Sequence, residues 1–410
     1  MDNGKLKIEN GKLKIENGKL KDMQIAQRIL KIASSQSLAM AARAKAMQAA
    51  GVDVVSMSLG EPDMDTPKHV REAAQVSVDN HWSHYGPVAG IASLREAAAN
   101  YQNGLAGNAI PWIGDDVLVS AGAKMAIFNA IQAVINPGDE VVIPMPSWVS
   151  YSEMVKLAEG VVVPVETKFE DRYCLTPEQL RKVLTPKTRM LILCSPNNPT
   201  GSVYSATELD GLMAVLREFP EVFILSDEIY NELVYNQSAS TLSHFSDLAE
   251  RLIIINGVSK AYAMTGYRVG WLISKNKAFV SACIRLQGQL LTCATMIAQK
   301  AAEAALVSDQ ECVASMRNIF ASRRKLICEL AAEIPGLKFN EPEGAFYLFP
   351  DVSKWGTGDE VAERLLEEAH VAVVSGSAFG CPSCIRLSYA ISEEQIRTAM
   401  ARIKKLLIEN

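Results

Sequence analysis

The sequence predicts an α/β protein whose main domain is a mostly parallel β-sheet covered by helices on both faces. Six apolar, β-branched runs occur in the middle of the chain, and helix-like stretches separate most of them. Each run is almost continuously apolar, which is typical of strands buried on both faces of a sheet. The runs are DVLVS (116–120), EVVIP (140–144), GVVVPV (160–165), MLILC (190–194), VFILS (222–226) and LIIIN (252–256).

A second domain is expected from the length of 410 residues, because one hydrophobic core stops growing near ~250 to 300 residues. After about residue 303 the pattern changes to long helix-like segments with short apolar runs, which predicts a smaller α+β unit. A helical pattern ahead of Gly51 needs a partner for its apolar face, and this unit supplies one. We therefore predict a small domain of residues 23–62 with 303–410, and a large domain of residues 63–302.

The first 22 residues contain a seven-residue repeat, NGKLKIENGKLKIENGKLK. An Asn-Gly pair in every repeat works against a helix, and three repeats are few for a coiled coil. We interpret residues 1–22 as a disordered tail. Our hypothesis is that a tandem-duplicated nucleotide stretch is read through as protein and that Met23 begins the folded unit.

The charge balance argues against binding to nucleic acid or to a membrane surface. The chain has 41 basic and 46 acidic residues, a net charge of -5, so it lacks the basic field that such partners require. No apolar run approaches the ~20 residues of a membrane helix, and the start lacks the features of a secretory signal. These observations predict a cytoplasmic protein.

Eight cysteines are scattered along the chain, and two of them form a CxxC motif, CPSC, at residues 381–384. This spacing suits metal binding or disulfide exchange. There is no second cysteine pair nearby and the chain has only five histidines, so we expect no metal site. The interpretation we favour is a pair of loop cysteines without a chemical role.

Polar and aromatic residues follow most of the predicted strands. In open sheets of this kind, ligands bind beyond the carboxyl ends of the strands. We therefore expect a site formed by the residues at these ends, namely Gly122, Ala123, Lys124, Trp148, Asn198, Asp227, Tyr230, Ser259 and Lys260.

The chemistry of these residues indicates a covalent carbonyl and a bound anion. A lysine in a partly desolvated pocket beside a second cation has a lowered pKa, and its neutral amine can form a Schiff base. Arg268, eight residues after Lys260, supplies that cation and can hold a phosphate. Asp227 directly follows an apolar strand, where burial is costly unless a cation such as a protonated pyridine nitrogen meets it. Neither G-x-G-x-x-G after a strand nor G-x-x-x-x-G-K-[ST] occurs.

Five motifs resemble those of the fold-type-I pyridoxal-phosphate family, specifically the class I aminotransferases. They are SPNNPTG (195–201), SDEIY (226–230), SKAYAMTGYRVGW (259–271), EGAFYLF (343–349) and IRLSYA (385–390), in family order and with family-like spacing. Similarity extends roughly from Met23 to the C-terminus. LGEPDMDTP, HYGPVAGIASLREA and NPGDEVVIPMPSWVSYSEM resemble, more narrowly, the bacterial aspartate aminotransferases and their prephenate-using relatives.

The resemblance implies roles at a pyridoxal 5′-phosphate site. Lys260 would hold the cofactor as a Schiff base and move the substrate proton. Asp227 would pair with the ring nitrogen, while Tyr230 and Asn198 would hydrogen-bond the ring oxygen. Trp148 would stack on the ring face, and both Trp148 and Asn198 would also border the substrate.

For the cofactor phosphate, the resemblance implies Arg268 and the backbone of Ala123 and Lys124 at a helix N-terminus. Where many relatives have a serine three residues before the lysine, this chain has Gly257, so Ser259 would supply the hydroxyl contact. Tyr85 would reach the phosphate of a neighbouring subunit, which requires a homodimer with shared active sites.

For the substrate, the resemblance implies that Arg386 clamps the α-carboxylate and that Gly60 offers its backbone to the same group. Lys124 resembles a lysine that some bacterial relatives use for the distal carboxylate of aspartate. Leu290 and Leu291 stand where aspartate-using relatives tend to have small hydroxyl residues near the substrate pocket.

The reaction implied is a ping-pong transfer of an amino group from L-aspartate to 2-oxoglutarate through Lys260. The same cofactor residues also serve aminotransferases for aromatic or prephenate-type substrates and β-elimination lyases, because side-chain recognition selects the substrate. A ligand sensor that regulates transcription is a further alternative, but the 22 residues before the folded unit are too few for a DNA-binding module.

Overall fold

The computed structural model describes residues 6–9, 12–15, 25–235 and 240–409. Within these residues the strands are β1 (Leu6–Glu9), β2 (Lys12–Ile15), β3 (Val55–Ser56), β4 (Val117–Ser120), β5 (Glu140–Met145), β6 (Val161–Glu166), β7 (Thr188–Cys194), β8 (Phe223–Asp227), β9 (Leu252–Gly257), β10 (Gly270–Ile273), β11 (Tyr347–Leu348), β12 (Val371–Ala372), β13 (Val374–Ser375) and β14 (Ile385–Ser388).

The α-helices of the described residues are α1 (Gln27–Leu30), α2 (Gln36–Ala49), α3 (Lys68–Asp79), α4 (Ala92–Gly104), α5 (Ala123–Val134), α6 (Ser150–Leu157), α7 (Pro177–Val183), α8 (Ala206–Arg217), α9 (Lys277–Leu290), α10 (Met296–Val307), α11 (Glu311–Ala332), α12 (Gly358–Glu367) and α13 (Glu393–Glu409). None of these helices is long and apolar enough to cross a membrane.

A seven-stranded sheet forms the centre of the molecule, in the order β4-β10-β9-β8-β7-β5-β6. Strands β5 to β9 pair in parallel, and β10 runs antiparallel to both of its neighbours. The six predicted runs correspond to β4 through β9, so the predicted mostly parallel sheet is confirmed. Strand β10 was not predicted, because its residues lie within a motif that reads as a loop.

Both faces of this sheet are buried. Along β7, Met190 and Ile192 belong to one apolar cluster, whereas Leu191 and Leu193 belong to another on the opposite face. Helices α5, α6 and α9 cover the first face, and α4, α8 and α10 contribute to the second. This double burial explains why the strands are almost continuously apolar.

The two ends of the described chain meet in a smaller α+β unit. Strand β3 pairs in parallel with β12, and β14 lies between β11 and β13. Helices α11, α12 and α13 supply a separate apolar core that includes Phe320 and Leu365. Helix α2 ends at Ala49, ahead of Gly51, whose φ of 88° suits a glycine at a helix end. We retain the division into residues 23–62 with 303–410 and residues 63–302 as our proposal.

In the N-terminal repeat, β1 and β2 pair antiparallel, with Leu6 opposite Ile15. The remaining residues of the predicted 1–22 tail, and Met23 itself, lie outside the described residues. The disordered tail and the duplication hypothesis therefore stay predictions.

A close backbone contact joins β9 to β10. Gly257 lies directly opposite Gly270 in the antiparallel pairing. A Cβ atom on Gly257 would lie 2.8 Å from the Gly270 Cα and 2.9 Å from the Val269 carbonyl oxygen. Such distances require the backbone to shift, so the strand contact explains why glycine occupies position 257.

We predict that Gly257→Ala destabilises the protein, because the added methyl group overpacks a backbone contact at a cost of about 1 to 3 kcal/mol. The midpoint of urea unfolding checks this prediction. The control is Gly104→Ala at the end of α4, where a Cβ atom meets nothing within 4 Å. Equal midpoints for the two variants would contradict the prediction.

Candidate active site

A cavity of about 440 Å³ lies beyond the carboxyl ends of the central strands, with the small unit on its other side. This volume falls within the usual range for small-molecule sites, ~300 to 1,000 Å³. Eleven residues that the sequence singled out line it, namely Gly60, Ala123, Lys124, Trp148, Asn198, Asp227, Tyr230, Ser259, Lys260, Arg268 and Arg386.

Lys260, just after β9, directs its amine into this cavity and donates a hydrogen bond to the Gly60 carbonyl oxygen. Burial lowers the pKa of the Lys260 ammonium to about 8, against an ordinary value of 10.5. Glu61 opposes the shift, and Arg386 and Arg268 reinforce it by repulsion. A larger fraction of the amine is therefore neutral and nucleophilic near pH 7 to 8.

Asp227 is the last residue of β8, and only 3% of its surface is exposed. Its carboxylate accepts hydrogen bonds from the Tyr151 hydroxyl at 2.6 Å and from the Ile229 N–H at 3.2 Å. Burial raises the pKa of Asp227 to about 6, and these two donors, with Lys260, limit the rise. The carboxylate is thus ionised at neutral pH and available to a cationic group.

Tyr151, on α6, is a site residue that the sequence did not reveal. It lies in PSWVSYSEM, and the spacing there gives no sign that its hydroxyl reaches a strand 76 residues away. Burial raises the pKa of Tyr151 well above its usual value, so the hydroxyl stays protonated and keeps donating.

Tyr347, on β11, is a second missed residue, although it lies in the EGAFYLF motif. Its hydroxyl is 2.8 Å from the Tyr230 hydroxyl, and both rings are buried. A Cβ atom on Gly60 would clash with that same hydroxyl, so glycine is required at position 60 for the two segments to meet.

Arg386, on β14, is 3% exposed and carries its charge without an acidic partner among the described residues. It donates to the Asn198 side-chain oxygen at 2.9 Å and to the Ser58 carbonyl at 2.7 Å. Its guanidinium carbon lies 4.5 Å from the centre of the Tyr347 ring. Its Nε is buried and has no hydrogen-bond partner in the described chain. A buried cation of this kind requires an anion.

A second positive region forms at the start of α5. Arg268 adopts the left-handed conformation, with a φ of 57°, and donates to the Thr265 carbonyl at 2.7 Å. A Cβ atom on Gly122 would lie 2.5 Å from the Arg268 Nη2, so glycine lets the guanidinium approach the helix N-terminus. With the free N–H groups that begin at Ala123, this region suits a phosphate.

Trp148 and Lys124 form one wall of the cavity. The Lys124 ammonium lies 4.8 Å from the centre of the Trp148 ring, and the Trp148 ring meets Tyr151 edge-on at 5.3 Å. Burial, with repulsion from Arg268, lowers the pKa of Lys124. The wall therefore combines an aromatic face with a cation.

Four residues that the sequence associated with the site do not line this cavity, namely Tyr85, Gly122, Leu290 and Leu291. Gly122 lies just outside it, at the start of α5. Tyr85 is 88% exposed, which suits a residue that acts on a second copy of the chain. Leu290 and Leu291 lie at the end of α9, and Leu290 is 48% exposed. Within a single chain, the two leucines therefore do not contact the cavity.

The arrangement suits a ligand that carries a carbonyl, an anionic group and a protonated ring nitrogen. Lys260 offers an amine to the carbonyl, Arg268 and the start of α5 face the anion, and Asp227 offers a carboxylate to the nitrogen. Arg386 remains for a second ligand with a carboxylate.

Comparison with known proteins identifies the family of the chain. The family model described as "Aminotransferase class I and II" matches residues 52–403. The aspartate/prephenate aminotransferase of Nitrosomonas europaea is 40% identical over 94% of this chain and all of its own length. The asparagine–oxo-acid transaminase of Streptococcus mutans is also 40% identical, over 94% of this chain and 99% of its own.

Among solved structures, the aspartate aminotransferase from Thermus thermophilus with maleate superposes with a TM-score of 0.90. It is 39% identical, and the match covers 94% of this chain and all of that one. The similarity therefore extends beyond the fold to the sequence.

We predict that Tyr151→Phe raises the pKa of Asp227 above about 6, because it removes the hydroxyl that stabilises the ionised carboxylate. The phenylalanine ring keeps the packing against Trp148. An infrared titration of the protonated carboxyl band, assigned with Asp227→Asn, measures the shift. The control is Tyr204→Phe, a buried tyrosine whose hydroxyl instead accepts from the Leu175 N–H. A pKa that stays the same in Tyr151→Phe would refute the prediction.

Proposed function

Because this chain belongs to the class I and II aminotransferase family, we propose that it moves an amino group from L-aspartate to 2-oxoglutarate. The observation that carries the proposal is the convergence of Lys260, Asp227, Arg268 and Arg386 on one cavity. An amine, a buried carboxylate and two separate cations are the groups that this chemistry requires.

The residues present fit pyridoxal 5′-phosphate. Asp227 is buried and ionised, yet its closest partners are a hydroxyl and an N–H instead of a cation. Arg268 bonds carbonyl oxygens in the described chain, which leaves its charge for a phosphate. When bound, the cofactor supplies an electron sink that stabilises negative charge at the substrate Cα.

Lys260, Asp227 and Tyr230 are the catalytic residues of this proposal. Lys260 would hold the cofactor and would move the proton at the substrate Cα, for which a pKa near 8 is well suited. Asp227 would keep the ring nitrogen protonated, and Tyr151 holds the carboxylate in its charged form. Tyr230 and Asn198 would hydrogen-bond the ring oxygen.

The other groups hold the cofactor in place. Arg268, Ser259 and the backbone at Ala123 and Lys124 would bind its phosphate at the start of α5. Trp148 would stack on the ring face and exclude water from it. Tyr85 would complete the phosphate site of a second copy, so we propose a homodimer, and the cytoplasm as its location.

Substrate recognition rests on two carboxylate sites. Arg386 would clamp the α-carboxylate, with Gly60 offering its backbone beside it. Lys124 would bind the distal carboxylate that aspartate and 2-oxoglutarate share, and Trp148 and Asn198 would border the substrate. The names of the relatives include aspartate, prephenate and asparagine. They support aspartate as the first donor to test, and asparagine and prephenate as the next substrates.

We predict that the purified protein, after addition of pyridoxal phosphate, shows an absorbance band that L-aspartate converts to a shorter-wavelength form and 2-oxoglutarate restores. Donor and acceptor act in separate half-reactions, so each changes the spectrum alone. Lys260→Ala, which lacks the attaching amine, is the control and should show no band from a covalently held cofactor.

A band that aspartate leaves unchanged would reject the donor but keep the cofactor. Asparagine would then be tested as the donor, and prephenate, a 2-oxo acid, as the acceptor. Release of pyruvate and ammonia without any oxo acid would identify a lyase. Absence of the band in the unmodified protein would contradict the function as a whole.

We predict that Lys124→Gln lowers kcat/KM for aspartate by about 10-fold or more but changes that for alanine little, because one charged hydrogen bond contributes about 1.5 to 3 kcal/mol. Arg386→Lys should lower kcat/KM for both donors, since a bidentate contact is lost. Arg397→Lys, on an exposed face of α13, is the control. If Lys124→Gln lowers kcat/KM equally for aspartate and alanine, Lys124 does not bind the distal carboxylate.

A further inference from the structure

The CxxC motif at residues 381–384 forms a closed pair of thiols that the proposed function does not use. The Cys384 N–H donates to the Cys381 carbonyl at 3.1 Å, which closes a tight turn. The turn places the two sulfur atoms 3.4 Å apart, in hydrogen-bond contact. A disulfide bond requires about 2.05 Å, so the pair needs only a small local movement to form one.

The two thiols differ in exposure and in acidity. Cys381 is partly exposed, whereas Cys384 is buried and also lies near the Tyr173 hydroxyl, at 3.5 Å. The contact with the Cys384 thiol lowers the pKa of Cys381, and the same contact, with burial, raises the pKa of Cys384. This asymmetry is typical of dithiols in which one sulfur attacks and the other resolves.

Among the described residues, the other cysteines do not combine partial exposure with a second thiol in contact. Burial raises the pKa of Cys174, Cys283 and Cys328 to about 12, and also raises that of Cys194. Buried thiols with raised pKa values react poorly with disulfides that approach from solution. Reactivity toward disulfides is therefore expected at Cys381 first.

The cysteine turn is bonded directly to the segment that positions Arg386. The Gly376 N–H donates to the Cys384 carbonyl at 2.7 Å, and the Cys381 N–H donates to the Gly376 carbonyl at 2.9 Å. Cys384 precedes β14 immediately, and Arg386 is the second residue of that strand. A movement of either cysteine is therefore passed to the backbone that carries the arginine.

Packing leaves little room for the turn to move independently. A Cβ atom on Gly376 would clash with the Cys381 carbonyl oxygen. The Phe379 ring, from the same loop, lies 4.9 Å from the Arg386 guanidinium carbon. The Phe379 carbonyl accepts from the Ser147 N–H at 3.0 Å, next to Trp148. The loop therefore contacts both the carboxylate site and the aromatic wall of the cavity.

We propose that Cys381 and Cys384 form a reversible disulfide, by exchange with a low-molecular-weight disulfide, and that this bond weakens carboxylate binding at Arg386. The coupling to substrate rests on the proposed function, whereas the disulfide itself does not. A shift of about 1 Å in a positioning group can cost up to 100-fold in rate, so a small movement of β14 suffices.

The exchange balances without any further oxidant. The Cys381 thiolate attacks one sulfur of the small disulfide, forms a mixed disulfide and releases one thiolate. The Cys384 thiolate then attacks the Cys381 sulfur and releases the second thiolate. Overall, two protein thiols lose two electrons and two protons, and the small disulfide is reduced to two thiols.

The first measurement is disulfide formation in the full-length protein, incubated in glutathione buffers of increasing oxidised fraction. Alkylation followed by peptide mass spectrometry should find the Cys381–Cys384 bond, and dithiothreitol should reverse it. Cys384→Ser should stop at a mixed disulfide on Cys381, and Cys293→Ser, a partly exposed cysteine elsewhere, should behave as the unmodified protein. Absence of the bond at every buffer ratio would overturn the proposal.

The second measurement is calorimetric binding of succinate, a dicarboxylate without an amino group, to the reduced and the oxidised protein loaded with pyridoxal phosphate. We expect affinity to fall by about 10-fold or more on oxidation, to recover with dithiothreitol, and to stay constant in Cys381→Ser. Because succinate cannot transaminate, this result does not depend on turnover. Equal binding before and after oxidation, including no binding in both, would overturn the coupling.

Discussion

The burial of Asp227 at the carboxyl end of β8 is the constraint on which the site depends. A carboxylate that is 3% exposed costs free energy unless its surroundings compensate for the lost water. Tyr151 and the Ile229 N–H compensate in part, and the pKa of Asp227 still rises to about 6. Binding of a cation offsets the rest of this desolvation free energy, so the site favours a protonated ligand beside Asp227. The same desolvation lowers the pKa of Lys260 and makes its amine reactive.

Close backbone contacts at glycines bring Arg268 to the start of α5. Gly257 opposite Gly270 allows β10 to pair tightly with β9, and the same turn brings Arg268 back to the start of α5. Gly122 then leaves space for the guanidinium against the helix N-terminus. A serine at position 257 would add a Cβ atom to the strand contact. Backbone packing therefore disfavours a side chain at position 257, whereas the Ser259 side chain lines the cavity.

Sequence periodicity was sufficient for the parts of the fold that depend on local pattern. The strands β4 to β9 lie in apolar, β-branched runs, so the pattern alone locates them and names the residues at their ends. Strand β10 was missed because its four residues, GWLI, include a glycine and pair antiparallel within a loop-like motif. Tyr151 and Tyr347 were missed for another reason. The direction of a hydroxyl depends on how helices and strands from distant parts of the chain pack, and no local spacing encodes that.

The local charge of the cavity is opposite to that of the chain. The net charge is -5, yet the cavity is lined by four cations, Lys124, Lys260, Arg268 and Arg386, and by two acids, Asp227 and Glu61. The long-range field therefore does not favour the approach of anionic substrates, and screening at physiological salt limits its reach to ~8 Å. Selection must take place within the cavity, where desolvated arginine contacts are strong and depend on geometry. A site that recognises its ligands only at short range is sensitive to small displacements of β14, which is why the cysteine turn beside Arg386 is well placed to control it.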